Sequence, residues 1–341
     1  MSNIRDVAKE AGVSISTASR ILSNDENFRT TEQTKQKVLE AVKKLDYQFH
    51  PRKKNVPKLT IGCILPLTSE KYSDPFFTSI LLSAETELNQ HQPTEFILRN
   101  FNDLNHSSVL QDFCNTPLDG LLIMEEITKD LMAHLSRPFP NIVTIDQIES
   151  TFNSVGFDHY AANMQIMKHL LNNGYRKIAY IGGSAPGLSF YDSLRMVAYR
   201  EALRVFNISY DDSIIKDCEW NLTLCAKYAE DLLLSENRPD VIFAGSDTLA
   251  TVILGVIYQL GMKCPDDIGV IGFNNLDTSV HTIPPLTTVD VPTKAIGKLA
   301  AKRLLDLINN RDSLVINVSL PTSLIVRDST RSSLPTGISL L

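Results

Sequence analysis

The chain has 341 residues, 43% of them apolar, which is enough for two or three domains that each bury a core. Its five cysteines are scattered without a C-x-x-C pair, so we expect a reducing cytoplasmic location, no disulfide framework and no metal site. The N-terminus is polar and no apolar run has the length of a bilayer, which excludes a signal peptide and predicts no membrane partner.

Charge is distributed unevenly along the chain. The formal net charge is −6, yet residues 1–58 carry 12 Lys and Arg against 7 Asp and Glu, a net of +5. The remaining residues carry a net of −11. A basic head on an acidic body is expected when only the head meets a polyanion such as nucleic acid.

The head begins with two short predicted helices. Apolar residues at helical spacing predict the first helix over 4–11, with Asn3 as its N-cap and Gly12 as the residue that ends it. The second helix starts after Ser14 and runs to about Leu22. A tight glycine turn between two short helices is typical of a helix-turn-helix, whose second helix enters the major groove of DNA.

The start of the second helix carries the candidate DNA contacts. Ile15 is an apolar β-branched residue that can touch a thymine methyl group, and Arg20 can reach guanine or a phosphate. Short polar side chains between them, and the first amides of the helix, can bind bases or phosphates. These polar residues are Ser14, Ser16, Thr17 and Ser19. The alternative is an ordinary helical hairpin with a solvated, charged face.

A third helix and a linker complete the head. Thr30-x-x-Gln33 fits a capping box, so the third helix is predicted to start at Thr30. Residues 48–58 are basic and contain two prolines, which indicates a linker between a DNA-binding head, 1–47, and a body, 59–341.

Strand-like apolar runs alternate with amphipathic stretches from Leu59 onward. This alternation predicts an α/β body of two doubly wound parallel-sheet subdomains that face each other across a cleft. The predicted strands are 59–65, 95–98, 119–124, 141–146, 177–183, 240–246 and 268–274, with a further one at 213–219. The predicted helices are 76–90, 159–172, 191–205, 223–235, 247–260 and 292–309.

Polar residues at the ends of these strands form a candidate binding site. Asp146, Ser246 and Asn274 follow strands, Arg195 begins a helix, and Trp220 follows the strand at 213–219. Carboxylate, amide and guanidinium groups in one cleft suit a polyhydroxylated ligand, and an indole ring can cover the apolar face of a pyranose. Alternatives stay open: Trp220 in a core, Asp146 as a helix cap, or Arg195 in a surface ion pair.

Ordered segments along the chain resemble the LacI/GalR family of bacterial transcription regulators. They are "IRDVAKEAGVSISTASRIL" (4–22), "LLNNGYRKIAYIGG" (170–183), "FAGSDTLA" (243–250), "PDDIGVIGFNN" (265–275) and "IPPLTTV" (283–289). The resemblance implies a helix-turn-helix head on a periplasmic-binding-protein-like body. It implies an N-subdomain of about 59–158 and 290–320 and a C-subdomain of about 159–289 and 321–330.

The resemblance also assigns roles to single residues. Ile15, Ser16 and Arg20 fall on the family's base-contacting positions, and Asp146, Arg195 and Trp220 fall on its effector pocket. Ser246 and Asn274 stand where relatives often carry other polar residues. Phe76 and Phe77 lie in "SDPFF", which resembles a family loop that lines the pocket from the other subdomain. Details such as "YSDPFF" (72–77) and the spacing after Arg195 resemble galactoside-responsive members, so a sugar effector is expected.

The linker departs from the family pattern. It lacks the Ala-Arg-x-Leu segment that folds as a hinge helix and inserts its leucine into the minor groove, and only Val56 offers an apolar wedge. Arg52 and Lys53 are therefore expected to hold phosphates. The family dimerises through its body, and the tail after Arg327 has no heptads, so we expect a homodimer on near-palindromic operator DNA.

No constellation for catalysis or a cofactor is visible in the sequence. "GGSAPG" (182–187) has the wrong glycine spacing for a dinucleotide fingerprint, and the seven histidines show no metal-ligand spacing. Asp247 is interpreted as the cap of the helix at 247–260. With the family resemblance, the sequence thus predicts a repressor of a sugar (galactoside) operon that is released by a sugar inducer and needs no cofactor. The alternatives are a regulator that answers to a purine or another sugar, and a sugar-binding protein without DNA activity.

Overall fold

The structure, a computed structural model, describes residues 3–23, 28–47, 49, 58–65, 75–124, 127–147, 151–184, 189–311 and 314–331. The chain divides into two compact units, Met1–Pro57 and Lys58–Leu341, called here the head and the body. Arg52, Lys53 and Val56 of the linker lie outside the described residues. Within the described part, no helix has both the length and the apolar character needed to cross a membrane.

The described residues of the head form three helices, α1 (Ile4–Glu10), α2 (Ile15–Leu22) and α3 (Glu32–Lys44). The residues predicted at the two ends of α1 are confirmed. Asn3 is the N-cap, since its Oδ1 accepts the N–H of Arg5 at 2.8 Å, and Gly12, which follows the helix, has a φ of +65°. The predicted start of α3 was one residue early. Thr31 is the N-cap, because its backbone is extended and its Oγ1 accepts the N–H of Thr34 at 3.2 Å.

Small side chains form the core of the head. They let the three short helices approach closely, so a few buried contacts suffice to fix their crossing. The buried residues are Val7, Ala8, Ala11, Ala18, Val38 and Ala41. Ala18 is the buried residue of α2, whereas Ile15 and Ser16 at the start of the helix are exposed.

In the part of the body that the structure describes, the strands form two parallel sheets and a short antiparallel pair. The larger sheet has six strands in the order β11-β5-β4-β3-β1-β2, and the smaller has four in the order β7-β6-β8-β9. Strands β10 and β12 pair antiparallel. The strands are β1 (Leu59–Leu65), β2 (Thr94–Asn100), β3 (Gly120–Ile123), β4 (Ile142–Ile145), β5 (Asn153–Phe157), β6 (Ile178–Gly182), β7 (Ile215–Asp217), β8 (Val241–Ala244), β9 (Gly269–Ile271), β10 (Thr288–Asp290), β11 (Asn317–Leu320) and β12 (Ser323–Ile325).

Helices cover the sheets, as expected for doubly wound folds. They are α4 (Pro75–His91), α5 (Phe101–Leu104), α6 (Ser107–Cys114), α7 (Lys129–Leu135), α8 (His159–Asn172), α9 (Leu194–Val205), α10 (Leu222–Leu234), α11 (Asp247–Gln259) and α12 (Thr293–Ile308). Helix α12 packs on α4 and on the six-stranded sheet, so a segment late in the chain completes the first half of the body. The predicted α/β fold class is confirmed.

Candidate DNA-binding and effector-binding sites

The first turn of α2 is open to solvent. Ile15 is 46% exposed although it is a large apolar residue, and Ser16 beside it is exposed as well. Ser14 is the N-cap: its Oγ accepts the N–H of Thr17 at 3.0 Å and lies 2.8 Å from Thr17 Oγ1. The two hydroxyls thus hold the helix start in place and leave Ile15 and Ser16 as the projecting side chains.

Arg20 lies further along the same helix and is also exposed. Its guanidinium carbon is 5.4 Å from the centre of the Phe28 ring, a cation–π distance that holds the side chain beside the helix. Ser19 is half-buried. Ile15, Ser16 and Arg20 therefore form one outward surface, called here the α2 face, with the shape and chemistry of a groove-reading element.

Phe273 lies at the centre of the candidate site in the body. The guanidinium carbon of Arg195 is 4.3 Å from the Phe273 ring centre and 5.8 Å from the Trp220 ring. Arg195 Nη1 donates to the carbonyl of Gly245 at 2.8 Å, while its buried Nε has no hydrogen-bond partner among the described residues. A buried N–H group without a partner costs free energy unless a ligand or water pairs with it.

Asp146 and His159 form a hydrogen-bonded pair on the side of the six-stranded sheet. Asp146 follows β4 with a φ of +61°, and its Oδ2 lies 2.7 Å from Nε2 of the buried His159. The imidazole stacks on Phe157, with 4.1 Å between ring centres, and lies parallel to Phe273 at 6.5 Å. The stacked rings connect Asp146 to the side chains around Phe273.

Trp220 lies against the carboxyl ends of β6 and β8, where two glycines make room for it. A Cβ atom on Gly183 would lie 2.7 Å from the backbone nitrogen of Trp220 and 2.8 Å from Cδ1 of its indole ring. A Cβ on Gly245 would lie 3.2 Å from the far edge of the indole. Trp220 itself has a φ of +59°, so its position depends on an uncommon backbone conformation as well as on the glycines.

Asn274 and Asn275 are adjacent, but their side chains have different surroundings. Asn275 is held on both sides: its Nδ2 donates to Asp290 Oδ1 at 2.8 Å, and its Oδ1 accepts from Arg327 at 2.8 Å. Asn274 is buried with a φ of +108°, and its Oδ1 has no hydrogen-bond partner in the described part of the body. Asn274 is thus the amide that can receive a ligand donor.

Ser246 and Asp247 contribute to the framework of the site. Ser246, not Asp247, caps α11, because its Oγ accepts the N–H of Leu249 at 3.2 Å; the predicted capping role of Asp247 was wrong. Asp247 is fully buried and accepts two hydrogen bonds, from Thr288 Oγ1 at 2.5 Å and from the Leu276 N–H at 2.7 Å. It therefore braces the loop that carries Phe273 and Asn274.

Burial raises the pKa of Asp247 to about 7, although its hydrogen bonds favour the charged form. In the unfolded chain the pKa of an aspartate is about 3.9. The native state therefore binds more protons between these values, so the free energy of unfolding falls as pH rises from about 4 to about 7. We expect Asp247→Asn, which stays neutral, to remove this decline.

The measurement is urea denaturation of both proteins at pH 4.5 and pH 7.5. A raised pKa of this size corresponds to about 4 kcal/mol, so wild type should lose up to that much relative to the variant between the two pH values. Equal pH dependence in the two proteins would contradict the role given to Asp247.

The remaining predicted residues, Phe76 and Phe77, lie at the start of α4. Their rings meet edge to face with 5.0 Å between centres, and Phe76 is part of the body's core. The preceding segment, 66–74, lies outside the described residues.

Three buried rings were missed by the sequence reasoning: His159, Phe273 and Tyr180. Burial raises the pKa of Tyr180, and its hydroxyl has no hydrogen-bond partner within the described ranges. The only sequence signal for Phe273 was its position beside Asn274, and for His159 its position at the start of the helix predicted over 159–172. Among the described residues, no group of His, Cys, Asp and Glu is placed to hold a metal ion.

A small basic helical head and a two-sheet body with a polar, aromatic cluster define a ligand-responsive DNA-binding regulator. Residues 3–49 match the model of the bacterial regulatory proteins of the lacI family, and residues 167–330 match the periplasmic binding protein-like domain. These two matches support a lacI-type transcriptional regulator rather than an enzyme.

Relatives and solved structures match over most of the chain. The repressor MelR of Bacillus subtilis is 28% identical, with 96% of this chain and 97% of that protein covered. The repressor PurR of Aliivibrio salmonicida is 28% identical, with 91% of this chain and 93% of that protein covered. The CelR–cellobiose complex is 24% identical, covers 96% and 100% and has a TM-score of 0.71. A lac repressor dimer bound to operator is 21% identical, covers 97% and 99% and has a TM-score of 0.70. The relatives do not support the galactoside-responsive type.

Proposed function

We propose that the chain is a dimeric transcriptional repressor that binds a near-palindromic operator through its α2 face and releases it when a sugar binds in the body. The exposed α2 face carries this proposal, because an apolar β-branched residue projects there beside Ser16 and Arg20 on a basic head. The relatives named as repressors support the same direction of regulation.

Each member of the head has a proposed role. Ile15 contacts a thymine methyl group, Ser16 and Arg20 contact base edges, and the first amides of α2 bind a phosphate. Ser14, Thr17 and Ser19 lie beside the backbone of the duplex, and Arg52 and Lys53 of the linker add electrostatic contacts. A single short helix reads only one half-site, so two heads on one dimer supply the affinity and the symmetry of the operator.

The effector site is the cluster around Phe273. The buried Nε of Arg195 is a donor and the buried Oδ1 of Asn274 is an acceptor, so a sugar hydroxyl, which does both, suits each of them. The Asp146 carboxylate accepts further hydroxyls, and the indole of Trp220 covers an apolar sugar face. Ser246, Phe76 and Phe77 complete the proposed pocket at its edges.

Release of the operator follows from a population shift between two arrangements of the body. A hundredfold fall in operator affinity requires the sugar to prefer the non-binding arrangement by about 2.7 kcal/mol. The sugar obtains this preference only from contacts that differ between the arrangements.

A purine effector is the second candidate. The rings of Trp220 and Phe273 lie 5.8 and 4.3 Å from the Arg195 guanidinium carbon, and a planar base can stack on such aromatic faces as well as a sugar can. The relative named PurR favours testing this class.

Titration calorimetry on the full chain separates these classes. The panel is galactose, lactose and allolactose with hypoxanthine and guanine, and the Trp220→Ala variant is measured beside wild type. Loss of a stacked aromatic face should weaken binding about tenfold or more. Heat from a purine alone would replace the sugar by the second candidate, and unchanged binding in Trp220→Ala would place the effector elsewhere.

A further inference from the structure

A cavity of about 360 Å³ lies beside the Asp146–His159 pair, with walls from both halves of the body. The six-stranded sheet contributes residues of β5 and β11, including Gly156 and Val318. Helix α9, which packs on the other half through Tyr199 and Ile178, contributes Val197. The cavity is within the size range of small-molecule sites.

The lining is mainly apolar and partly open to water. Val197 and Tyr160 are each nearly half exposed, although both are large apolar side chains at the same cavity. Large apolar residues that cluster at a concave surface gain free energy when a ligand covers them. The cavity therefore favours a compact apolar body over a fully hydroxylated one.

One buried polar atom at the cavity lacks a partner. His159 lines the cavity and is 5% exposed; its Nε2 is bonded to the Asp146 carboxylate, while its Nδ1 has no hydrogen bond to any described residue. A carboxylate only accepts, so Nε2 is the donor in this bond and Nδ1 is the ring nitrogen left without a partner among the described residues. A hydroxyl group on a ligand would satisfy it.

The charge of the lining excludes anions. The described residues that line the cavity include the carboxylates of Asp146, Asp158 and Glu201 and no lysine or arginine. Glu201 is paired outside with Arg204, at 2.6 and 2.8 Å, but the other two carboxylates have no cationic Lys or Arg in the lining. These carboxylates would repel an anionic ligand in the cavity, whereas a neutral ligand would not be repelled.

We propose that this cavity is a second small-molecule site, for a neutral ligand with an aromatic or branched alkyl body and one hydroxyl group. The walls of the cavity belong to both halves of the body. A ligand in the cavity therefore binds the arrangement of the two halves seen in this structure and stabilises it over other arrangements. Its hydroxyl contacts His159 and thereby reaches Asp146, a member of the effector cluster, through one hydrogen bond.

The first test uses benzyl alcohol and benzoate, which share a ring and differ in charge. Both are titrated into the full chain with ¹³C-labelled Leu and Val methyl groups. Benzyl alcohol should shift the methyl signals of Leu194, Val197 and Val318 in a saturable way, with the millimolar Kd expected for a probe of about eight heavy atoms. Benzoate should bind about tenfold more weakly or not at all.

A pair of variants on α9 gives the matched control. Val197→Trp fills the cavity at an exposed position, 45%, and should weaken benzyl alcohol binding at least about tenfold. Val205→Trp makes the same change two turns later, at a position 41% exposed and outside the lining, and should leave binding unchanged. Signals that shift elsewhere, equal affinity for benzoate, or unchanged binding in Val197→Trp would each overturn the proposal.

Discussion

Arg20→Ala is expected to lower operator affinity by about 10- to 100-fold. A bidentate contact from arginine to a guanine edge is worth about 1–3 kcal/mol of discrimination, and alanine removes it together with one positive charge. The side chain is exposed and held against Phe28, so its loss should leave the core of the head intact. Gel-shift titration with the region upstream of the gene, at fixed salt, measures the change.

Lys44→Ala is the matched control for the lost charge. Lys44 is exposed on the same head, but its ammonium group is bound to Glu10 at 2.6 Å, near the end of α1. The control should change affinity less than about threefold, and it should change affinity for the operator and for unrelated DNA alike. If Arg20→Ala binds the operator as wild type does, or if both variants lose the same affinity for all DNA, the α2 face is not the reading surface.

The helices and strands with a clear periodic pattern of apolar residues were predictable from the sequence. Helix α8 was predicted over 159–172 and is observed there, and β1 was predicted over 59–65 and is observed there. The missed elements lack such a signal. Strand β11 alternates between exposed and half-buried residues at the edge of its sheet, and β10 is only three residues long. Their pairing comes from strands far away in the chain, which a local pattern does not encode.

The candidate effector site was only partly predictable, for a related reason. Asp146, Arg195, Trp220 and Asn274 were visible because polar or aromatic residues at strand ends point to a cleft. His159 and Phe273 were not, because their role depends on two segments more than one hundred residues apart that bring their rings parallel. The positive φ angle of Trp220 likewise follows from the packing around it, since a bulky residue rarely adopts that conformation.

The loop with Phe273 and Asn274 depends on one close approach. Gly272 lies directly before it, and a Cβ atom there would collide with Asp247 Oδ1 and lie 2.8 Å from Leu286 Cδ2. Asp247 cannot yield, because Thr288 and Leu276 hold its two oxygens. The position of the effector cluster thus rests on the absence of a side chain at residue 272.

Gly272→Ala is therefore expected to lower the free energy of unfolding by about 3 kcal/mol. Overpacking a filled core costs about 1–3 kcal/mol, and displacing the carboxylate from its two donors adds a comparable penalty for unpaired buried groups. Urea denaturation measures the loss as a lower midpoint at an unchanged slope. Gly255→Ala is the control, since Gly255 lies in α11 with open space around its Cβ position. Alanine there should stabilise the chain by roughly 0.5–1 kcal/mol because it favours the helix. Two variants of equal stability would show that the contact between Gly272 and Asp247 is not tight enough to hold the loop.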